Sequence, residues 1–257
     1  MVLTRAQIVL QTDPEKRLTS SIGSLLQGAL MQHITPAYGE VLHRSELKPY
    51  SQYISFGASG AIWTVQTLTE EAETQIVQPL LSGSFTSLRL EHKDLELPIL
   101  SKTVTHLTEE ELMQQTFFAE CSRKVRLRFI TPCSFKSQGV YQIFPSIRLM
   151  FQSLVNRYDA MSEKNSVFYP ELLEDLKQHT MITEYRLQSR LFGVEGISIP
   201  SYQGHITLRM SGPQQMVNLM HMLLRFGTYS GIGIKTAMGM GGLQIDERKR
   251  TNENRTV

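Results

Sequence analysis

The sequence predicts an α+β protein built from two tandem ferredoxin-like (βαββαβ) domains. Three observations predict it. The first half orders its periodic segments as strand, helix, hairpin, helix, strand; the second half repeats that order more loosely; and a glycine-rich stretch follows the last helix. The expected domains are 1–120 and 121–246, with a polar tail over 247–257 (ERKRTNENRTV) whose composition predicts disorder.

Residues 5–12 (RAQIVLQT) read as the first strand. Residues 19–34 (TSSIGSLLQGALMQHI) read as a helix with Thr19 or Ser20 as N-cap, apolar residues at 22, 25, 26, 29 and 30, and Pro36 ending it. SQYISFG (51–57) and AIWTVQTLT (61–69) are β-rich runs split by a glycine-containing turn, which predicts a hairpin. A helix is expected over 70–81, limited by Pro79, then a closing strand near 84–91. In the second half KVRLRFI (124–130) alternates as a strand, and 146–158 reads as a helix capped by Ser146. RLFGVEGISIP and SYQGHITLRMS suggest a hairpin. Residues 213–226 open with Pro213 in the first helical turn, where a missing N–H costs nothing, and GGLQI supplies the last strand.

With 257 residues, 41% of them apolar, the chain can bury two cores. A net charge of +2 names no partner, so any nucleic-acid footprint must come from local clustering. Cys121 and Cys133 are too few for a disulfide framework and lack zinc-site spacing. There is no signal-peptide layout and no apolar run near the ~18 residues of a membrane span, so the expectation is a cytoplasmic protein without a membrane partner.

Five glycines fall within 231–242 (GIGIKTAMGMGG), around the pair Lys235-Thr236. A dinucleotide fingerprint needs glycine where Thr236 stands, and should follow a strand and open a helix; this stretch does the reverse. A P-loop ending in Lys235-Thr236 needs glycines where Tyr229 and Ile234 stand. Neither nucleotide motif fits.

The pattern Gly231-Ile232-Gly233, five residues, Gly239-Met240-Gly241 resembles the C-terminal glycine-rich loop of the RAMP superfamily. With LLQGALMQHI, VLHRSELKPYSQYISF and FITPCSFKSQG, the chain resembles the CRISPR RNA-processing endoribonucleases of that superfamily. The resemblance implies a RAMP-type pair of ferredoxin-like domains that cuts CRISPR precursor RNA within its repeats without metal or cofactor. It also implies a 2′,3′-cyclic phosphate or 3′-phosphate product and a 5′-OH fragment. Expected partners are CRISPR repeat RNA and, after processing, an effector complex; monomer and homodimer both stay open. The alternative is a non-catalytic RAMP subunit that binds guide RNA, against which the VLHRSELKPYSQ segment argues.

Metal-free cleavage by a neighbouring 2′-OH needs a group to move protons and a cation to meet charge on the phosphoryl oxygens. Histidine suits the first task, its unperturbed pKa lying near about 6.5. His43 sits in a polar stretch expected to be a loop, with Tyr38, Arg44 and Lys48 nearby, and matches the family's catalytic position. His33 continues the first helix's stripe and is expected to pack there or face the helix end. His92, His106, His179, His205 and His221 show no metal-ligand spacing. By resemblance Lys48 is the cation near the scissile phosphate. Some members carry a tyrosine where this chain has Met31, and Tyr38 is the nearest substitute.

RNA must also be held. Residues 121–136 carry Arg123, Lys124, Arg126, Arg128 and Lys136 and no acidic residue. Lys124, Arg126 and Arg128 should share one strand face, with Val125, Leu127 and Phe129 on the other. Gly231, Gly233, Gly239 and Gly241, with Lys235, complete the expected RNA-binding set, the glycines permitting close backbone approach.

Overall fold

Each half of the chain closes an antiparallel sheet over its own helices. A computed structural model describes residues 1–13, 18–57, 60–90, 94–194 and 196–246. The first half runs β1 (Val2–Leu10), α1 (Gly23–Met31), α2 (Pro36–Arg44), β2 (Tyr50–Gly57) and β3 (Gly60–Thr67). Then come α3 (Glu70–Ala72), a π-helical turn (Glu73–Val77), α4 (Gln78–Leu81), β4 (Ser87–Leu90), β5 (Leu95–Thr108) and α5 (Glu109–Gln115). The strands lie in the order β2-β3-β1-β5-β4. The second half runs β6 (Lys124–Cys133), the ribbon β7 (Phe135–Ser137) and β8 (Val140–Gln142), then α6 (Ile147–Met161) and α7 (Leu172–Gln178). It continues with β9 (Thr180–Val194), β10 (Ile197–Met210), α8 (Gln214–Ser230) and β11 (Leu243–Ile245), in the order β11-β6-β10-β9. Without β4, the first order becomes β2-β3-β1-β5, the same ferredoxin-like arrangement read from the other edge.

Several expectations are corrected. Pro36 does not end the first helix; α1 stops at Met31, and Pro36 is the first residue of α2, where a fixed φ favours initiation. Thr35 caps α2 by accepting from the Tyr38 N–H at 3.3 Å, so the stretch expected to be a loop is helical. The strand near 84–91 is the edge strand β4, and the closing strand is β5, which pairs with β1 along nearly its whole length. The helix expected over 70–81 is present with those bounds, ending two residues after Pro79; its middle widens into the π turn that precedes the proline. RLFGVEGISIP itself contains the turn of a long β9–β10 hairpin, while SYQGHITLRMS continues β10. Pro213 caps α8 from outside rather than lying in its first turn. Ser146 does cap α6, accepting from the Leu149 N–H at 3.4 Å. Residue 120 lies in the link between α5 and β6, and the expected tail over 247–257 lies outside the described residues.

The first core gathers Ile8, Leu26, Leu30, Trp63, Val65 and Ile76. The second gathers Leu127, Phe129, Phe151, Leu154, Leu223 and Phe226, and it also takes in Leu3 and Leu107 from β1 and β5. The reason is α8, which packs on its own sheet and also against β1, β2 and β3. Its last carbonyls, which a helix cannot satisfy internally, are met by the first sheet. Arg5 donates to Thr228 O at 2.8 Å, Gln66 Nε2 donates to the same oxygen at 2.5 Å, and Ser51 Oγ donates to Tyr229 O at 2.6 Å. The Arg5 guanidinium also lies 4.2 Å from the Tyr229 ring centre.

Candidate active site and nucleic-acid interface

His43 occupies the last turn of α2 and is exposed. The chain then turns back so that Lys48 lies under the helix end. Its ammonium donates to Leu42 O, to Ser45 O at 2.5 Å and to His43 O at 3.4 Å. A cation at the negative end of a helix is electrostatically favoured, so Lys48 both caps α2 and fixes the turn that carries His43. The Lys48 pKa is lowered, first by burial and then by the charge of Lys235. The glycine-rich loop reaches this half through Gln52 of β2, which holds the turn that follows Lys235. His43 and Lys48 come from the end of α2 and the turn after it, and Lys235 from the glycine-rich loop far along the chain.

Tyr38 does not join them. It is 4% exposed, part of the first core, and its hydroxyl has no hydrogen-bond partner among the described residues. Burial, then Glu71 and Tyr50, push its pKa up to about 12. Leu42, also buried, is one turn further along the same helix face, so packing turns Tyr38 inward while His43 points out. The substitution of Tyr38 for the family's tyrosine is therefore corrected. His33 lies just beyond α1, exposed, with its ring edge-on to Phe85 at 4.7 Å.

The glycine-rich loop is held by protein on nearly every side. A Cβ on Gly241 would stand 1.9 Å from Ile232 O, one on Gly233 2.4 Å from Ser134 O, and one on Gly239 3.0 Å from Gly23 Cα. Gly231, Gly233, Gly239 and Gly241 all have positive φ, from 66° to 100°. Gly231, Gly239 and Gly241 are buried, so the chain itself fills the space their missing side chains leave. Gln52 fastens the 3₁₀ turn Thr236–Met238 to β2. Its Nε2 donates to Ala237 O at 2.8 Å and its Oε1 accepts from Trp63 Nε1 at 2.7 Å, all buried. Lys235 is the exposed residue of this stretch and adopts a left-handed φ of 54°.

On β6 the expected alternation holds, with Val125, Leu127 and Phe129 buried and Lys124 and Arg128 exposed. Tertiary structure nevertheless brings acids to two of the cations: Lys124 pairs with Glu184 at 2.9 Å and Arg126 with Asp246 at 3.4 Å. Arg128 sits in register with His205 on β10, which faces Arg186 on β9. This row, with Arg190, Gln188 and Gln203, lines a groove of basic and amide side chains. Burial and then Arg126 lower the His205 pKa against the opposing pull of Asp246. Arg123 donates to Gly212 O at 3.0 Å, and Lys136 lies 5.6 Å from the Tyr141 ring on the β7–β8 ribbon. Residue reading missed His205, Arg186 and Arg190; the i, i+4 arginines of YRLQSR on a strand were the available signal.

Among the described residues, no group of three or more His, Cys, Asp or Glu is placed to hold a metal ion. No described helix is long and apolar enough to cross a membrane. Cys133 is buried, which pushes its thiol up to about 12.

Comparison with known proteins decides the family. The sequence profile of the CRISPR-associated endoribonuclease Cas6 family matches residues 127–243. A curated CRISPR-associated endoribonuclease Cas6 from Streptococcus thermophilus is 35% identical over 225 residues, 86% of this chain and 90% of that protein. The chain belongs to the Cas6 endoribonuclease family. A Mycobacterium tuberculosis Cas6 is 31% identical over 246 residues, 95% of this chain and 78% of its own. Among solved structures, a Cas6 product complex superposes with a TM-score of 0.77 at 22% identity, covering 96% of this chain and all of that one. A Thermus thermophilus Cas6 gives 0.69 at 19% identity, covering 95% and 97%. At such identity these two establish the Cas6 fold, two tandem ferredoxin-like domains of RAMP type, and the sequence relatives establish the family.

Proposed function

We propose that the chain cleaves CRISPR precursor RNA within its repeats by attack of a 2′-OH on the adjacent phosphorus, without metal. What supports the reading is that His43 and Lys48 share the end of α2, and that the glycine-rich loop carrying Lys235 is fastened to β2 just beyond it. The resemblance contributes the substrate class, as do solved Cas6 structures in complex with product and with a substrate mimic.

In this reading His43 moves the proton between the 2′-OH and the 5′-oxygen that leaves. Lys48 and Lys235 meet the charge that builds on the non-bridging oxygens. The O2′–P bond forms as the P–O5′ bond breaks, leaving a 2′,3′-cyclic phosphate, or a 3′-phosphate after hydrolysis, and a 5′-OH. The row Arg128–His205–Arg186 holds phosphates away from the cut, and Arg126, Lys124, Arg123 and Lys136 act beside it. The glycines act indirectly, by letting the loop fold tightly enough to present Lys235.

The test is a repeat RNA carrying one 2′-deoxy residue just 5′ of the cut, incubated in EDTA beside the all-ribose RNA. The all-ribose RNA should be cut in EDTA, and the deoxy RNA should bind and stay intact. Cleavage of the deoxy RNA excludes 2′-OH attack; cleavage only after magnesium is restored excludes metal independence.

A further inference from the structure

Arg157 lies on α6, 6% exposed, and has no carboxylate partner among the described residues. A buried guanidinium without a counter-ion loses several kcal/mol of hydration, roughly, and so needs an alternative source of negative potential. The C-terminal end of α8 supplies it. Arg157 Nη1 donates to Ser230 O, the last residue of α8, and to Thr236 Oγ1 at 2.6 Å. Burial pushes its pKa down to about 10, so it remains a cation at neutral pH.

Those two acceptors bracket Gly231–Lys235. One nitrogen of Arg157 therefore ties both ends of the loop whose exposed residue is Lys235. One turn earlier on the same face of α6, Ser153 Oγ accepts from the Gly233 N–H at 3.0 Å. From the other side, the Ile234 N–H donates to Ser134 O at 3.1 Å. Lys235 itself stands in the left-handed region, which costs a non-glycine residue about 1 kcal/mol. Glycine would remove that cost, and the chain uses glycine freely on both sides. The lysine side chain is retained against it.

We propose that Arg157 is a positioning residue for RNA cleavage: it ties the glycine-rich loop so that Lys235 stands beside Lys48 at the reacting phosphate. This rests on the reading above, in which the two lysines meet that phosphate. A residue that only stabilised the fold would show a different signature. A variant that lost only stability would cleave at the parental rate below its melting temperature, whereas loss of the tether should slow cleavage by protein that is fully folded.

The experiment compares Arg157→Met, Arg157→Lys, Lys235→Ala and Arg157→Met/Lys235→Ala in the full chain. It reads melting temperature, repeat-RNA affinity and single-turnover cleavage at saturating RNA. Arg157→Met should melt somewhat lower, because the Ser230 carbonyl and the Thr236 hydroxyl lose a buried donor, and when folded it should bind RNA within a few-fold yet cleave roughly 10–100-fold slower, as misplaced catalytic groups do. The double variant should be no slower than the slower single variant, because both lose the same contact. Arg157→Lys keeps the charge, but its nitrogen ends one bond short of the Nη1 position that meets both acceptors, so it should also be slow. It keeps the test informative if Arg157→Met does not fold. Parental cleavage by either folded Arg157 variant overturns the inference, as does a double variant slowed by the full product of the single effects. If Lys235→Ala cleaves at the parental rate, the two-lysine phosphate reading fails, which is distinct from slow Lys235→Ala beside normal Arg157 variants.

Discussion

The two sheets share a strand order but not an environment. In the first, β2 and β3 are mostly buried, because α1 and the π turn cover one face and α8 the other. In the second, β6 alternates buried and accessible residues, because its helices cover one face and leave the basic row on the other. The same topology therefore serves two purposes. The first sheet is a scaffold whose second face holds the end of α8 through Arg5, Ser51 and Gln66. The second leaves a basic face open and sends its last loop across to the first. The proposed active corner lies where they meet, with His43 and Lys48 from one half and Lys235, on the loop that Gln52 holds to β2, from the other.

The contrast can be broken at its strongest point. General acid–base help is worth ~10²–10⁴ in rate, so His43→Ala should lose about that much single-turnover cleavage while folding and binding persist. His33→Ala should cost far less, since its exposed ring lies beyond the end of α1 and packs edge-on to Phe85. A folded His43→Ala cutting at the parental rate beside an inert, folded His33→Ala would move the site to the end of α1.

The tether between the halves comes next. Gly241→Val places a β-branched side chain at φ 66° with its Cβ 1.9 Å from Ile232 O. It should cost at least ~2 kcal/mol, or roughly 4–8 °C in melting temperature for a chain of this size, and cleavage should fall with it. Calorimetry that shows no change would mean the loop tolerates another path.

The open face of the second sheet is tested by salt. Arg128→Ala with Arg186→Ala should weaken RNA binding and make the log–log salt slope shallower by about two. Arg126→Ala should change the slope by less than about one, because Asp246 already answers its charge. Equal effects from the three arginines would dissolve the distinction between paired and unpaired positions.

The smallest effect is the pH profile. Burial and Lys235 both lower the Lys48 pKa, so its charged form is lost at a lower pH than that of an ordinary lysine. The alkaline limb of cleavage should therefore begin below the usual lysine range, and Lys235→Ala should move it upward. The linkage sign agrees: the folded state binds fewer protons in that window, so the stability penalty of charged Lys48 fades as pH rises through it. A limb unmoved by Lys235→Ala would separate the two lysines.

The sequence by itself determined what local periodicity and chain chemistry encode. The repeated βαββαβ order and the amphipathic faces of β6 and α6 were legible; the glycine pattern of the last loop was too, though the chain itself rather than RNA fills the space it leaves, and His43 and Lys48 are proposed through the family resemblance. Helix α2 was not, because its fourfold polar face reads as a loop until Thr35 and Pro36 are recognised as a start signal. β5 escaped because most of it is exposed and polar, its strand state being imposed by pairing with β1. Tertiary structure alone decided the rest. Tyr38 turns inward since one helix face must fill the core, and Glu184 and Asp246 reach the basic strand from neighbours 60 and 120 residues away in sequence. Arg157 and Gln52 read as an ordinary helix cation and an ordinary strand amide. What they do depends on which carbonyls lie within hydrogen-bond reach, and only the packing of one half on the other brings those carbonyls there.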